Sequence, residues 1–310
     1  IQCWGLNTYG QLNHPSGFIA WNGLFDEEID GFYDIEVVST GGDNQTCAID
    51  SVGEIHCWGS DSYGQVSNVP SGSFVQVSSG SHHTCGLDVN NALHCWGVDT
   101  GEALDYGQVT NAPIGNTFVQ VSSGHRHSCA IEFNGNVQCW GWNASGQGNV
   151  PNEVFVQITT GSQHTCGLDI NGNIHCWGWD NGGMVSDTPV GSFVQVSSGG
   201  AFSCAIDIDG ELHCWGQDDN AQVSSVPSGT FVQIDAGILH SCAVDSNGGI
   251  ECWGNDQSGQ SSDIPSGSFV QISSGNYHTC GIDVSGGIQC WGLNTYGQLN
   301  HPSDFSVLEY

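Results

Sequence analysis

The stretch that decides the fold is Phe74-Val-Gln-Val-Ser-Ser-Gly-Ser-His-His-Thr-Cys-Gly-Leu-Asp-Val-Asn-Asn-Ala-Leu-His-Cys-Trp-Gly97. Its opening run recurs with small changes from Phe118, Phe155, Phe193, Phe231 and Phe269, and a degenerate first copy starts at Ile35. The intervals between copies are 39, 44, 37, 38, 38 and 38 residues. Phe74-Val-Gln-Val has the period-2 pattern of a strand, and His83–Asp88 and Ala92–Gly97 read as two more short strands around a turn. No segment sustains a helical period for three turns. A unit of about 38 residues built from short strands, repeated seven times, predicts an all-β, seven-bladed β-propeller. We read each unit as one four-stranded, internally cross-linked sheet. The expected organisation is a redundant strand segment at 1–17, an apolar and acidic insertion at 18–34, the propeller at 35–303 and the start of an eighth repeat at 304–310.

Cysteine spacing supports this independently. Each copy holds two cysteines ten residues apart: Cys47/Cys57, Cys85/Cys95, Cys129/Cys139, Cys166/Cys176, Cys204/Cys214, Cys242/Cys252 and Cys280/Cys290. Six residues after the first of each pair stands Gly53, Asn91, Gly135, Gly172, Gly210, Gly248 or Gly286. A three-residue hairpin loop needs positive φ at its last residue, which Gly adopts freely and Asn tolerates. Folding about that loop sets the two cysteines opposite each other on neighbouring strands, at a Cα separation of about 4.5–5.5 Å that a disulfide accepts. One hairpin disulfide per blade is therefore expected.

The pattern Ser-Ser-Gly-x-x-His-Thr-Cys, followed by Asn-Gly-x-Ile-x-Cys-Trp-Gly-x-Asn-x-x-Gly-Gln, resembles the regulator-of-chromosome-condensation repeat over nearly the whole chain. The resemblance implies a seven-bladed propeller. The family's functions are diverse, so it implies no functional residue here, and its chromatin-binding role conflicts with the charge of this chain.

That charge is -31, from 32 Asp plus Glu against the single cation Arg126. Binding to a nucleic-acid backbone is excluded, because it needs clustered Lys and Arg. Attraction to an anionic membrane surface fails for the same reason, and no run of 18 apolar residues offers membrane insertion. Fifteen cysteines in such a chain point to an oxidising compartment, hence to a secreted, extracellular or cell-surface protein. Sequons at Asn44 and Asn143 are weak support for the same reading.

The termini are redundant. Ile1 to Ser16 is identical to Ile288 to Ser303, and Phe305-Ser-Val-Leu308 looks like the opening strand of an eighth repeat. Cys3 is the odd fifteenth cysteine, unpaired or intermolecular. Three arrangements compete: the two ends close one ring; the N-terminal segment docks on a neighbouring molecule in place of its Ile288–Ser303; or the chain is an excerpt of a tandem array with a 287-residue period. Exchange between molecules would be nearly isoenergetic and, propagated head to tail, would build a filament. Its contact residues would be Ile1, Trp4, Leu6, Tyr9, Leu12, Trp291, Leu293, Tyr296, Leu299 and Phe305. The insertion, with Phe18-Ile-Ala-Trp21 and Phe32-Tyr33 around Asp26-Glu27-Glu28, reads equally as a contact surface or as a lid on its own ring.

Histidines stand two residues before the first cysteine at His83, His127, His164, His240 and His278, replaced by Gln45 and Phe202 in the other two copies. Spread around a ring they are too far apart for one ion, so we read them as framework residues bonding backbone within their own blade. His56, His94, His175 and His213 read as cross-strand surface residues. The turns at Asp207-Ile-Asp209-Gly-Glu211 and Asp169–Gly172 supply too few oxygens for calcium. No Gly-x-Ser-x-Gly elbow occurs, and Asp218-Asp219 and Glu27-Glu28 are loop carboxylates of the kind 32 acids produce by chance. The eight Trp of Cys-Trp-Gly are core by register; Trp142 and Trp179 lie beyond them and could stack on a sugar or a partner. The expectation is a non-enzymatic structural or surface propeller with itself as partner and no cofactor or metal. The alternatives are a monomeric binder of a protein or glycan, and a polysaccharide-acting enzyme using loop carboxylates.

Overall fold

The computed structural model describes residues 37–101 and 104–302. The segments 1–17, 18–34 and 304–310, and with them Ile1, Cys3, Trp4, Leu6, Tyr9, Leu12 and Phe305, lie outside the described residues.

Among the described residues all regular structure is β, arranged as seven antiparallel three-stranded sheets. The first blade has an inner strand Val38–Thr40, a middle strand Gln45–Ile49 and an outer strand Ile55–Gly59. The second repeats this as Phe74–Ser79, His83–Asp88 and Leu93–Gly97. The seventh has Phe269–Ser274, His278–Asp283 and Ile288–Gly292. The intervening blades start at Phe118, Phe155, Phe193 and Phe231.

Three strands per blade corrects the four expected. The segment after each outer strand does not extend. It coils into a loop held by an acid or amide at its start: Asp61 Oδ1 accepts the N–H groups of Val66 and Ser67, at 2.8 and 3.0 Å, and Asp180, Asp218 and Asn294 make comparable bonds to their own loops. The Cys-Trp-Gly strand is therefore the outer edge of its sheet.

Seven disulfides join the middle and outer strands with the pairing that the spacing predicts. They are Cys47–Cys57, Cys85–Cys95, Cys129–Cys139, Cys166–Cys176, Cys204–Cys214, Cys242–Cys252 and Cys280–Cys290. Each pair sits directly opposite in the strand register, as Cys47 does with Cys57 and Cys242 with Cys252. Two features differ from the sequence reading. The Cα atoms are 4.0–4.1 Å apart, closer than expected, so the two strands approach more tightly at the cystine than an ordinary facing pair. The two halves of each cystine are also not equivalent, which spacing alone does not report. The middle-strand sulfurs of Cys47, Cys85, Cys129, Cys166, Cys204, Cys242 and Cys280 belong to fully buried residues. Their partners Cys57, Cys95, Cys139, Cys176, Cys214, Cys252 and Cys290 are half-buried, because the strand that carries them is the sheet edge.

The hairpin loop takes the conformation read from Gly and Asn, with φ of 86° at Gly53 and 61° at Asn91. The same residue fastens the next blade: the carbonyl of Gly53 accepts the N–H of Phe74 at 2.8 Å, and that of Asn91 accepts Phe118 at 2.9 Å.

A bulge between Phe74 and Gln76 alters the inner strand. Val75 is left exposed while Gln76 turns inward and is buried. Apolar residues from adjacent sheets fill the space between blades. One such core joins Val38, Ala48, Trp58, Phe74 and Trp96 to Cys280, Ile282 and Ile288, so the seventh blade packs on the first and the ring is closed within the described residues.

Candidate functional site: the blade seam

The recurring residues of the repeat meet at the boundary between blades. The amide of Gln76 acts as a short piece of sheet ladder: its Oε1 accepts the N–H of Val121 at 2.9 Å and its Nε2 donates to the Val121 carbonyl at 3.3 Å. Gln120, Gln157, Gln195 and Gln233 accept from Ile158, Val196, Ile234 and Ile272 in the same way. A serine hydroxyl follows, as where Ser78 Oγ accepts from Ser123 N at 2.9 Å.

The histidines lie at the same boundary. His83, His127, His164, His240 and His278 are buried and reach the hydroxyls of Ser128, Thr165, Ser203, Thr279 and Thr46 on the following blade, at 2.7–2.9 Å. The expected partner, backbone within the same blade, is thus corrected to a side chain on the next one. Where the acceptor is Thr165 or Thr46, its own hydroxyl donates onward to the carbonyl of Gln147 or Gln298. The histidine Nε2 must then carry the proton, and Nδ1 is left buried without a partner in all five rings. Burial pushes the imidazoles down to about 3 at His83, His127 and His278 and to about 4 at His164 and His240, so they are neutral at pH 7.

Glycines make room for these rings at the axis. A Cβ on Gly161 would stand 2.4 Å from the ring of His164 and 2.5 Å from the carbonyl oxygen of Gly199 in the next blade. Equivalent approaches link Gly41, Gly80, Gly124, Gly199, Gly237 and Gly275 around the ring. The axial opening is a cavity of about 70 Å³ lined by a glycine from each blade and by Ser or Thr from six of the seven, the sixth blade supplying Ala236 instead.

The last clasp is the indole. The Nε1–H of Trp96, Trp140, Trp177, Trp253 and Trp291 donates to the carbonyl of Gln65, Gln108, Gln147, Gln222 and Gln260 in the loop of the preceding blade, at 2.8–3.0 Å. Trp215 uses Met184 instead. Each loop thereby sits on the blade that follows it.

The seam between the seventh and first blades obeys the same rules. Gln271 Oε1 accepts from Val37 and Val38 N, Ser273 Oγ accepts from Thr40 N at 3.0 Å, and His278 meets Thr46 at 2.9 Å. The carbonyl of Gln298 accepts both Trp58 Nε1, at 2.7 Å, and Thr46 Oγ1, at 3.1 Å. Ring closure is therefore shared between the inner and middle strands of the seventh blade, through Gln271, Ser273 and His278, and residues 288–302, the copy of the duplicated sequence that follows them, through Gln298. Of the expected contact residues, Trp291 is buried with its Nε1 on Gln260, Leu293 and Leu299 are half-buried, and Tyr296 is exposed.

Other candidates resolve as structure. His56, His94, His175 and His213 donate through Nε2 to Asp50, Asp88, Asp169 and Asp207 across the hairpin, at 2.7–3.1 Å. Burial raises the Asp169 carboxyl, but bonds from Asn173, His175 and Asn171 outweigh it and hold the group down at about 2. Glu54 and Glu211 join two of these pairs into groups of three possible ligands within 4.8 Å. In both groups the Asp Oδ1 is already taken by two N–H groups of its own turn. Trp142 has its partners inside the molecule: the Arg126 guanidinium lies 6.0 Å from its ring and 5.5 Å from that of Tyr106. Sequence reading missed that sandwich, since Tyr106 and Arg126 are 20 residues apart. At the sequons, Asn44 has φ of 65° and a buried Oδ1, and Asn143 is bonded through both side-chain atoms to Gly148 and Asn149.

Seven disulfide-bearing blades around an axis, each clasped to its neighbour by a Trp indole and most also by Gln, Ser or Thr, and His, define a seven-bladed β-propeller. The profile of the regulator of chromosome condensation (RCC1) repeat matches residues 74–108, 118–147, 155–183, 193–222, 231–260 and 269–298. The chain belongs to the RCC1 repeat family. The first blade, outside those matches, is also the one with Gln45 for His and Val37 in place of the bridging Gln. No curated protein sequence matches the chain. Among solved structures it is similar to the entire ectodomain of the receptor kinase CR4 from Physcomitrella patens, with 29% identity and a TM-score of 0.70 over 82% of this chain and 72% of that one. It is also similar in fold to the CRINKLY WD40 ectodomain of the receptor kinase ACR4 from Arabidopsis thaliana, with 24% identity and a TM-score of 0.69 over 83% and 97%. Prp20p from Saccharomyces cerevisiae, described with binding properties to Gsp1p and histones, shares the fold at 18% identity and a TM-score of 0.66 over 86% of each chain.

Proposed function

We propose that the protein is a non-catalytic, extracellular propeller that associates with further copies of itself, the segment Ile1–Ser16 of one molecule entering the seam of another. Seven disulfides suit an oxidising compartment, and the likeness to receptor-kinase ectodomains supports the same placement. The observation that carries self-association is the duplication. The seam of each ring has one place for the sequence Ile-Gln-Cys-Trp-Gly-Leu-Asn-Thr-Tyr-Gly-Gln-Leu-Asn-His-Pro-Ser, residues 288–302 of that copy are seated in it, and the chain carries the sequence twice. A surplus copy with the same side chains fits the same place on a neighbour at almost no difference in free energy. Concentration then sets how far exchange proceeds, and head-to-tail exchange grows as an open filament.

A synthetic peptide of the Ile1–Ser16 sequence tests this. Added in excess to assembled protein it should cap growth and lower the mean particle mass measured by light scattering. An unchanged mass, with a scrambled peptide as control, would remove the seam as the joint.

The second reading, a monomeric binder of a protein or glycan, is favoured by the receptor-ectodomain likeness and by the polar mouth of the axis. It predicts a particle of one chain at all concentrations. An enzyme built on loop carboxylates has less support: Asp218, half of one candidate pair, is spent on the N–H groups of Val223 and Ser224.

A further inference from the structure

Cys280 is the one half-cystine of the ring whose outer strand is repeated residue for residue by a segment outside the seven blades. It is fully buried in the middle strand His278–Asp283, bonded to the half-buried Cys290 in the outer strand with Cα atoms 4.0 Å apart. The register that makes the pair is set on both sides of it. Ile288 lies opposite Ile282, Gln289 opposite Gly281, Trp291 opposite Thr279 and Gly292 opposite His278. Ile1-Gln-Cys-Trp-Gly5 repeats all five residues in order, and Gln11 repeats Gln298, whose carbonyl anchors the loop on Trp58. A segment with these side chains, laid in this slot, brings Cys3 opposite Cys280.

We propose that assembly is sealed by a disulfide between Cys3 of one molecule and Cys280 of the next, formed at the expense of Cys280–Cys290. The proposal rests on the strand-exchange reading above. The outer strand is the sheet edge, paired on one side only, so it can leave the rim while the inner and middle strands stay in place. The Cys3 thiol loses its proton, and the thiolate attacks Sγ of Cys280. The Cys280–Cys290 bond breaks, and Cys290 departs as a thiolate that takes up a proton. One sulfur–sulfur bond forms for one that breaks, so no oxidant or reductant is consumed. The products match the reactants in local structure, and each link leaves one thiol per chain, moved from Cys3 to Cys290. The other six disulfides are not the matched target: Ile55–Gly59 and Ile174–Gly178 share one sequence and Leu93–Gly97 and Leu212–Gly216 another, but each of these strands is already cross-linked in its own blade, whereas Ile1–Gly5 is a spare copy of Ile288–Gly292 alone.

Thiol mapping decides it. Assembled protein carrying Thr8→Ser, whose counterpart Thr295 is exposed, so that the two otherwise identical peptides differ in mass, is alkylated in denaturant without reductant, digested and analysed by mass spectrometry. Heavy- and light-isotope preparations are mixed before assembly. The expected result is label on Cys290, a cross-linked peptide joining Cys3 to Cys280, heavy–light pairs among those links, and multimers that collapse to single chains on reduction. Label on Cys3 with Cys280–Cys290 intact, a Cys3–Cys3 link, or links confined to one isotope would overturn it. Cys3→Ser separates the two claims. If strand exchange is right this variant still forms particles under native conditions, without reductant-sensitive multimers. If neither variant nor parent forms them, the underlying reading falls as well.

Discussion

His83, His127, His164, His240 and His278 are neutral because each ring is enclosed between two blades with one nitrogen bonded and the other buried without a partner, against a glycine at His83, His164, His240 and His278. An unfolded chain binds protons at these sites from about pH 6.5 downward, whereas the folded chain resists until about 3–4. Stability from these groups is complete above pH 6.5 and falls as pH drops toward 4. Linkage puts the loss at roughly 2 kcal/mol per histidine at pH 5. The hairpin aspartates held below their ordinary value, such as Asp50 and Asp207, act in the same direction at lower pH. Urea unfolding followed by tryptophan fluorescence should therefore show a clear drop between pH 7 and pH 5. His83→Gln, a replacement the first blade already carries as Gln45, should shrink that drop by about one histidine's share; an undiminished drop would mean His83 is not the buried neutral group described. Gly161→Ala should cost at least ~2 kcal/mol in the same assay, since neither the His164 ring nor the Gly199 carbonyl has room to retreat.

A blade is a hairpin stapled by its cystine plus an inner strand fastened to the neighbour. Cys204→Ser with Cys214→Ser should lower stability by roughly 2–3 kcal/mol at most, because the loop closed is short. Trp58→Phe should be felt at the seam, where the Gln298 carbonyl loses a donor: hydrogen exchange across 288–302 should accelerate while the third blade stays protected. Equal acceleration in both would mean the seam has no local opening of its own. The stapled hairpin was legible because its causes are local: ten-residue cysteine spacing and a Gly or Asn at positive φ. The fourth strand was misread because Asp61 and its counterparts fold the following segment onto itself, which a period-2 pattern does not report. The half-exposure of Cys57 and its equivalents follows from that missing strand, which would otherwise have covered the sheet edge. Gln76 was hidden by the bulge at Val75, which turns an amide inward where alternation alone gives no partner for it. The clasp partners of the histidines, 38 or more residues away, become visible only when blades are set side by side.

For the molecule as a whole, all seven boundaries share the seat of a Trp indole on a carbonyl of the preceding loop, and the duplicated sequence matters because of that. At the closing seam residues 288–302 make the contacts the other loops make, so a second copy of the same sequence meets a place made for it and already filled. The closest test is sedimentation velocity of the full chain beside a variant lacking residues 1–16, over a hundredfold range of concentration in non-reducing buffer. The full chain should give species at multiples of 32.7 kDa that grow with concentration, and the variant a single species of one chain. The same distribution of masses for both would contradict it.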